Sequence, residues 1–300
     1  MTPARKRAYI ELLIVAAIWG CAGPIIKYTL GGFSPAVFIT YRFFISAIIA
    51  LIFFAIRGIK FPKRPKILLL TLFNGFLLTT VSIGVLFLGI DKTTSIDSNL
   101  ISAIAPIMVA VAGVFFLKEH ITKRESLGIL IALTGTVITI IGPFLKSGVT
   151  FGGIEGNLLV FASVITGTVT AVLAKKILRE DVDIGFATNI SFVVGFITTL
   201  PFALRELINS NFQSITAVPF SFHLGVLYMA ILSGSFAYFL WHKAEKTIEI
   251  GEVHLIGYLY PVFGTPLSVL WLKETVDLPI VIGCIVIAVG VILAEWKKRR

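Results

Sequence analysis

The chain has 300 residues, 57% of them hydrophobic and 14% charged, with a mean hydropathy of +0.96. A soluble chain of this length cannot bury that much apolar surface, because even large domains leave much of theirs exposed, so a water-soluble globular fold is excluded and a bilayer is the solvent. The net charge of +10 does not imply nucleic acid, since Lys and Arg fall in short clusters between apolar runs and not along one face.

The apolar runs predict helices of about the ~20 residues that cross a hydrocarbon core. Helix 1 is expected over Ala8 to Thr29, behind Arg5-Lys6-Arg7, with no small-residue cleavage site after it, so it reads as a retained span. Gly31-Gly32-Phe33-Ser34-Pro35 turns the chain into helix 2, which runs to Ile56. A basic loop, Arg57 to Lys66, precedes helix 3 (Ile67 to Ile90), and Asp91 to Thr94 turns into helix 4 (Ser95 to Leu117). Helix 5 spans Ser126 to Ile141. The Gly-rich stretch 142–155 is expected to be a linker between two domains, 1–141 and 156–300. The second domain repeats the scheme: helix 6 (Gly156 to Ala174), helix 7 (Ile184 to Leu204), helix 8 (Phe220 to Trp241), helix 9 (Gly251 to Leu272) and helix 10 (Leu278 to Glu295). Cys21 and Cys284 both sit in apolar runs; they form no disulfide framework and show no metal spacing.

Basic residues orient these spans. With the N-terminus in the cytoplasm, 20 of the 26 Lys and Arg fall in cytoplasmic segments and only Lys92, Lys146, Arg205 and Lys273 fall outside, so both termini are expected in the cytoplasm. Pro106 to Glu119 and Pro261 to Glu274 share a pattern that opens on Pro and closes on Leu-Lys-Glu at an offset of 155, and Gly128 and Gly135 match Gly283 and Gly290 at the same offset. A repeat at half the chain length indicates duplication. Because five spans is an odd number, the second copy must be inverted, which is the architecture of secondary transporters with alternating access. The expected fold is therefore an all-α polytopic membrane protein of ten helices, two inverted five-helix repeats around a central cavity.

In this order the residues resemble a known family. Ile18-Trp19-Gly20 followed by Lys27, then Pro35 and Arg42, then the Pro-to-Glu motif in helices 4 and 9, are similar to the ten-helix, EamA-type branch of the drug/metabolite transporter superfamily over nearly the whole chain. The resemblance implies a monomeric basket of helices, a cavity bounded largely by helices 3, 4, 8 and 9, and export of amino acids or other small metabolites across a bacterial or archaeal cytoplasmic membrane. The second half lacks the Trp-Gly of helix 1: with Lys27 set against Lys175, Trp19 falls opposite Gly167. There is also no carboxylate at the Trp19 position, so the proton-coupled exchange of the small drug exporters does not carry over.

Several residues are candidates for a cargo site. Pro106 and Pro261 are expected mid-helix, kinking the backbone at the cavity. His254, Tyr258 and Pro261 recur at helical spacing on one face, matched on helix 4 by Asn99 and Pro106 with Ser102 beside them. Such side chains either face a cargo or bond neighbouring helices. Trp19, Asn74 and Tyr238 are further cavity candidates. Asp97 and Glu252, also 155 apart, either complement a helix dipole or couple transport to a cation. Arg42 either snorkels outward or attracts an anionic group. No metal site, cofactor or nucleic-acid partner is expected; the partners are a small-molecule cargo and the lipid bilayer. Multidrug and nucleotide-sugar transport are alternatives within the superfamily. An intramembrane enzyme is disfavoured, because Asp91, Asp181, Asp183 and Asp277 all sit at loops and no His-Glu-x-x-His is present.

Overall fold

The computed structural model describes residues 3–92, 101–102, 104–120, 122–147, 154–272 and 278–295. Among these, every regular element is helical. Helices α1 (Pro3–Thr29) and α2 (Pro35–Arg57) lead into α3, residues 65–92, which is α-helical at Pro65–Phe76, π-helical at Leu77–Ser82 and α-helical again at Ile83–Lys92. Then come α4 (Ala105–Leu117), α5 (Lys123–Ser147), α6 (Ile154–Arg179) and α7 (Ile184–Asn209). A short turn of helix at Gln213–Thr216 precedes α8 (Phe220–Thr247), which also contains a π-helical stretch, Tyr228–Phe236. The chain continues through α9, residues 250–272, and α10 (Leu278–Glu295). Among the described residues, six helices are long and apolar enough to cross a membrane, and Ala105–Leu117 and Val281–Leu293 are shorter apolar helices. With long apolar side chains such as Leu51, Ile52, Leu69, Ile197 and Phe202 facing outward, this is the surface of an all-α polytopic membrane protein.

The helices outrun the charge-free stretches because charged end residues are given partners instead of being left to end the helix. α6 continues to Arg179, and its Lys175 ammonium donates to the carbonyls of Glu245 and Ile248 at the C-terminal end of α8. α5 continues to Ser147, so its last turns occupy the first part of the stretch expected as a linker, where it packs along α10. Its start is a capping box: the Thr122 hydroxyl accepts from Glu125 N–H at 3.2 Å and Glu125 Oε2 accepts from Thr122 N–H at 2.7 Å. Ser34 and Asp183 cap α2 and α7 in the same way, from Val37 and Phe186 N–H.

Pro106 does not sit mid-helix, whereas Pro261 lies inside α9 where the helical geometry changes. Pro106 stands in the first turn of α4, after a turn at Ile104, and Pro261 is the second residue of the α-helical segment Tyr260–Leu272, after a 3₁₀ turn at Ile256–Leu259. At the start of a helix the missing N–H costs nothing, so each proline restarts a helical segment.

Packing follows a reciprocal scheme. α2 lies on α7 and α5 on α10; α1 meets α8 as α3 meets α6; and α1 meets α9 as α4 meets α6. The glycines show the relation at atomic level. A Cβ on Gly135 would lie 2.6 Å from Ile287 N and 2.8 Å from Gly283 O, while one on Gly290 would lie 2.5 Å from Ala132 N and 2.8 Å from Gly128 O. These contacts exchange under the sequence offset of 155, and the chain direction reverses between them. α5 and α10 are therefore antiparallel and touch backbone to backbone, as small-residue stripes allow.

Candidate substrate site

Between α1, α7, α8 and α9 the side chains form a continuous group of rings. Trp19 lies edge-on to Tyr238 with centroids 4.9 Å apart, tilted against Trp241 at 4.9 Å, and edge-on to Tyr260 at 6.2 Å. His254 stands perpendicular to Trp241 at 4.9 Å, and Phe192 of α7 closes on Tyr238 at 5.9 Å. Edge-to-face packing of this kind fixes ring orientation and leaves polar atoms at defined points. The π-helical stretch of α8 supplies acceptors for them: Trp19 Nε1 donates to Ser233 O at 2.9 Å, and Ser46 Oγ donates to Ala230 O at 3.1 Å. A π turn disrupts the regular i to i−4 ladder and so makes carbonyls available to other helices. Tyr228 in turn donates to Ile18 O at 2.7 Å.

Among the described residues, Arg42 Nε, Glu245 Oε2 and His254 Nε2 around this group, and Asn74 Oδ1 on α3, are buried without a hydrogen-bond partner. Such atoms are uncommon in a finished core and ask for an explanation. Glu245, 1% exposed, accepts from Trp241 Nε1 at 3.0 Å through its other oxygen. His242 pairs through Nδ1 with the Thr188 hydroxyl at 2.9 Å.

Of the residues expected from sequence, the structure brings Trp19, Tyr238 and His254 together, with Arg42 within electrostatic reach of Tyr238. It does not bring the others to them. Asn74 is buried on α3, where the adjacent Gly75 meets Ser191 of α7. By contrast, Tyr258 is buried in the same apolar cluster as Trp241, against which Trp19 and Tyr260 pack, and Tyr260 is edge-on to Trp19. The 3₁₀ turn at Ile256–Leu259 advances three residues per turn instead of 3.6, which rotates the helix face that sequence spacing assumes. Ser102 is half-buried in the short helical piece before α4, and Pro106 is buried in the first turn of α4. Asn99 and Asp97 lie outside the described residues, as does the Pro261 side chain. Glu252, 3% exposed, is ion-paired with Arg5 and accepts from Tyr9 Oη at 2.6 Å, which ties α9 to the start of α1. Trp241, which from sequence is either a cavity residue or a membrane-interface one, belongs to the group, and sequence reading missed Tyr260 and Glu245. The i, i+4 spacing of Trp241 and Glu245 was visible, but Glu245 looked like a loop residue because the apolar run ends at Trp241.

More ionic contacts join the helix ends on the N-terminal face. Glu11 pairs with Arg7 and Lys243. Glu119 accepts from Arg179 at 3.0 Å and from Ile250 N–H at 2.8 Å, capping α9. Arg179 also donates to Leu117 O at 2.8 Å. On the opposite face Ser34 donates to Glu206 at 2.7 Å and Lys92 pairs with Glu155.

The model of the EamA-like transporter family matches residues 6–141 and again 154–296. The chain is 26% identical over 298 residues to the uncharacterized transporter YetK of Bacillus subtilis (strain 168), covering 98% of this chain and 88% of that one. It is 25% identical over 295 residues to an uncharacterized transporter of Archaeoglobus fulgidus, covering 97% and 100% of the two chains. It is 26% identical over 307 residues to a Salmonella typhimurium protein named as a probable amino-acid metabolite efflux pump, covering 99% and 97%. A crystal structure superposes with a TM-score of 0.78 over 96% of both chains at 16% identity, which shows the same fold. With the family pattern present twice and spanning nearly every residue, the chain belongs to the EamA-like transporter family, within the drug/metabolite transporter superfamily.

Proposed function

We propose that the protein exports small metabolites, amino acids or related compounds, as a monomeric secondary transporter with both termini in the cytoplasm. Two inverted five-helix repeats, residues 1–141 and 156–300, would give ten spans and alternate access to a site between them. The observation that carries this reading is the reciprocal, antiparallel contact of α5 and α10 at glycines 155 apart, with a group of rings and unpartnered polar atoms elsewhere between the halves. The Salmonella relative supports the amino-acid class, and the excess of Lys and Arg on one side of the expected topology supports the orientation. Trp19, Tyr238, Trp241, Tyr260 and His254 form the cargo surface: rings cover its apolar part, and Nε2 of His254 is a free hydrogen-bonding atom.

The test is efflux from proteoliposomes loaded with each of the twenty amino acids. The wild type releases at least one of them faster than protein-free vesicles. Trp19→Ala and Tyr238→Ala raise the half-saturating concentration about tenfold or more, a change of about 1.4 kcal/mol. Trp19→Phe, which keeps a ring but loses the bond to Ser233 O, falls between. If no member of the panel leaves the vesicles, amino-acid export is wrong. If the ring variants export like the wild type, the site is misplaced.

A further inference from the structure

Arg42 of α2 is 3% exposed, and its guanidinium makes no hydrogen bond and no ion pair among the described residues. The ring of Phe43 lies 5.0 Å from its Cζ, and Tyr238, itself in contact with Trp19, is within electrostatic reach. Contact with a ring offsets only a small part of taking a guanidinium out of water. A buried carboxylate can neutralise itself by binding a proton, and a buried lysine by losing one. A guanidinium can do neither, because it stays charged at any pH a protein meets. Among the described residues the other buried cations have acceptors: Lys175 has two carbonyls, and Arg5, partly buried, has Glu252. Arg42 has none, although it lies within reach of the ring group.

We infer that Arg42 is the anchor for a carboxylate on the cargo, so that the transported compounds are carboxylate-bearing monoanions or zwitterions. This rests on the transporter reading and narrows it. The planar fork of a guanidinium matches a carboxylate through two parallel hydrogen bonds. A single fixed positive charge balances one negative charge; a phosphate monoester would bring a surplus that no neighbouring described cation meets. The rest of the cargo then lies toward Tyr238 and Trp19, whose rings offer an apolar, orienting surface. A free inorganic monoanion such as chloride shares the charge but not the fork geometry, and the test separates the two.

Thermal unfolding of the protein in nanodiscs, in a buffer low in chloride, is measured with each amino acid, with the matching amino-acid amide, and with sodium chloride. At least one acid raises the unfolding temperature of the wild type and its amide does not. Arg42→Gln removes that response, weakening the acid about tenfold or more, and Arg42→Lys keeps a reduced one. Without ligand, Arg42→Gln unfolds at or above the wild-type temperature, because a buried unpaired charge has been deleted; a merely structural arginine would give the opposite sign. The assignment is overturned if acid and amide act alike, if Arg42→Gln responds as the wild type does, or if no acid has an effect. A response to chloride alone that disappears in Arg42→Gln overturns it in favour of an inorganic ion. Efflux keeps the two readings apart: vesicles that export amides as well as acids refute the anchor and leave amino-acid export standing, whereas vesicles that export neither refute amino-acid export itself.

Discussion

Glu119 closes the conspicuous Leu-Lys-Glu pattern, and its role is to hold backbone. Buried at 7% exposure, it accepts Ile250 N–H and so caps α9, while Arg179 contacts it from a half-exposed position. The cap is the larger contribution, because an exposed partner is screened by solvent. Glu119→Ala should cost about 1–2 kcal/mol, in the range of a lost cap, read as a lower thermal unfolding temperature, and Glu119→Gln, which keeps an acceptor, should cost less. Equal loss in the two variants would mean that the charge pair, not the cap, is the working contact. Glu252, one of the two carboxylates weighed for coupling, is likewise satisfied by Arg5 and Tyr9 and so tied into a helix end. Arg42 is the contrasting case, a buried charge with nothing built to meet it.

At the scale of helices, close approach is set by glycine on α5 and α10. Gly135→Val or Gly290→Val would place side-chain atoms where Ile287 N and Ala132 N already stand, and each should sharply reduce the yield of folded protein in size-exclusion chromatography. Gly23→Ala and Gly84→Ala, where nothing lies within 4 Å, should be neutral or stabilising by up to about 1 kcal/mol, the helix preference of Ala over Gly. A Gly135 variant as well behaved as the Gly84 variant would show that the two helices separate freely. The glycine stripe at intervals of seven was readable from sequence, and so were most of the spans, because long charge-free runs leave a chain few options in lipid. Helix ends were not, since Lys175 and Arg179 extend α6 through partners on other elements, and Glu245 extends α8 with its carboxylate held by Trp241 one turn earlier. On α9 a 3₁₀ turn, invisible to a 3.6-residue period, adds Tyr260 to the ring contacts of Trp19. Trp19 and Tyr238 were legible because lipid offers their polar atoms no partner, whereas Trp241 looked like a membrane-interface residue.

For the molecule as a whole, the contacts on the N-terminal face act between halves. Glu252 with Arg5, Glu11 with Lys243 and Glu119 with Arg179 each join one half to the other. Opening that face means breaking them, so Glu252→Gln should shift the population toward the open form. Ala110, which lines a small cavity with Glu119, Gly251 and Glu252, provides the reporter. A cysteine there, in a background with Cys21 and Cys284 replaced by serine, should react faster with a maleimide when Glu252 is changed to Gln. An unchanged rate would show that this pair does not hold the face shut. One further consequence follows from the contrast between Trp19, packed among rings, and its repeat counterpart Gly167, whose added Cβ would meet only Ser82 Oγ at 3.4 Å. Two identical halves that exchanged roles would give two end states of equal free energy, each occupied half of the time. If the halves exchange roles as proposed, a bulky ring at Trp19 against a glycine at its counterpart would remove that degeneracy, and about 1.4 kcal/mol of difference would already mean a tenfold preference for one side. A single repeat-related pair of positions could therefore set which way the empty carrier rests, while the gradients of cargo and any coupled ion set the direction of net flux.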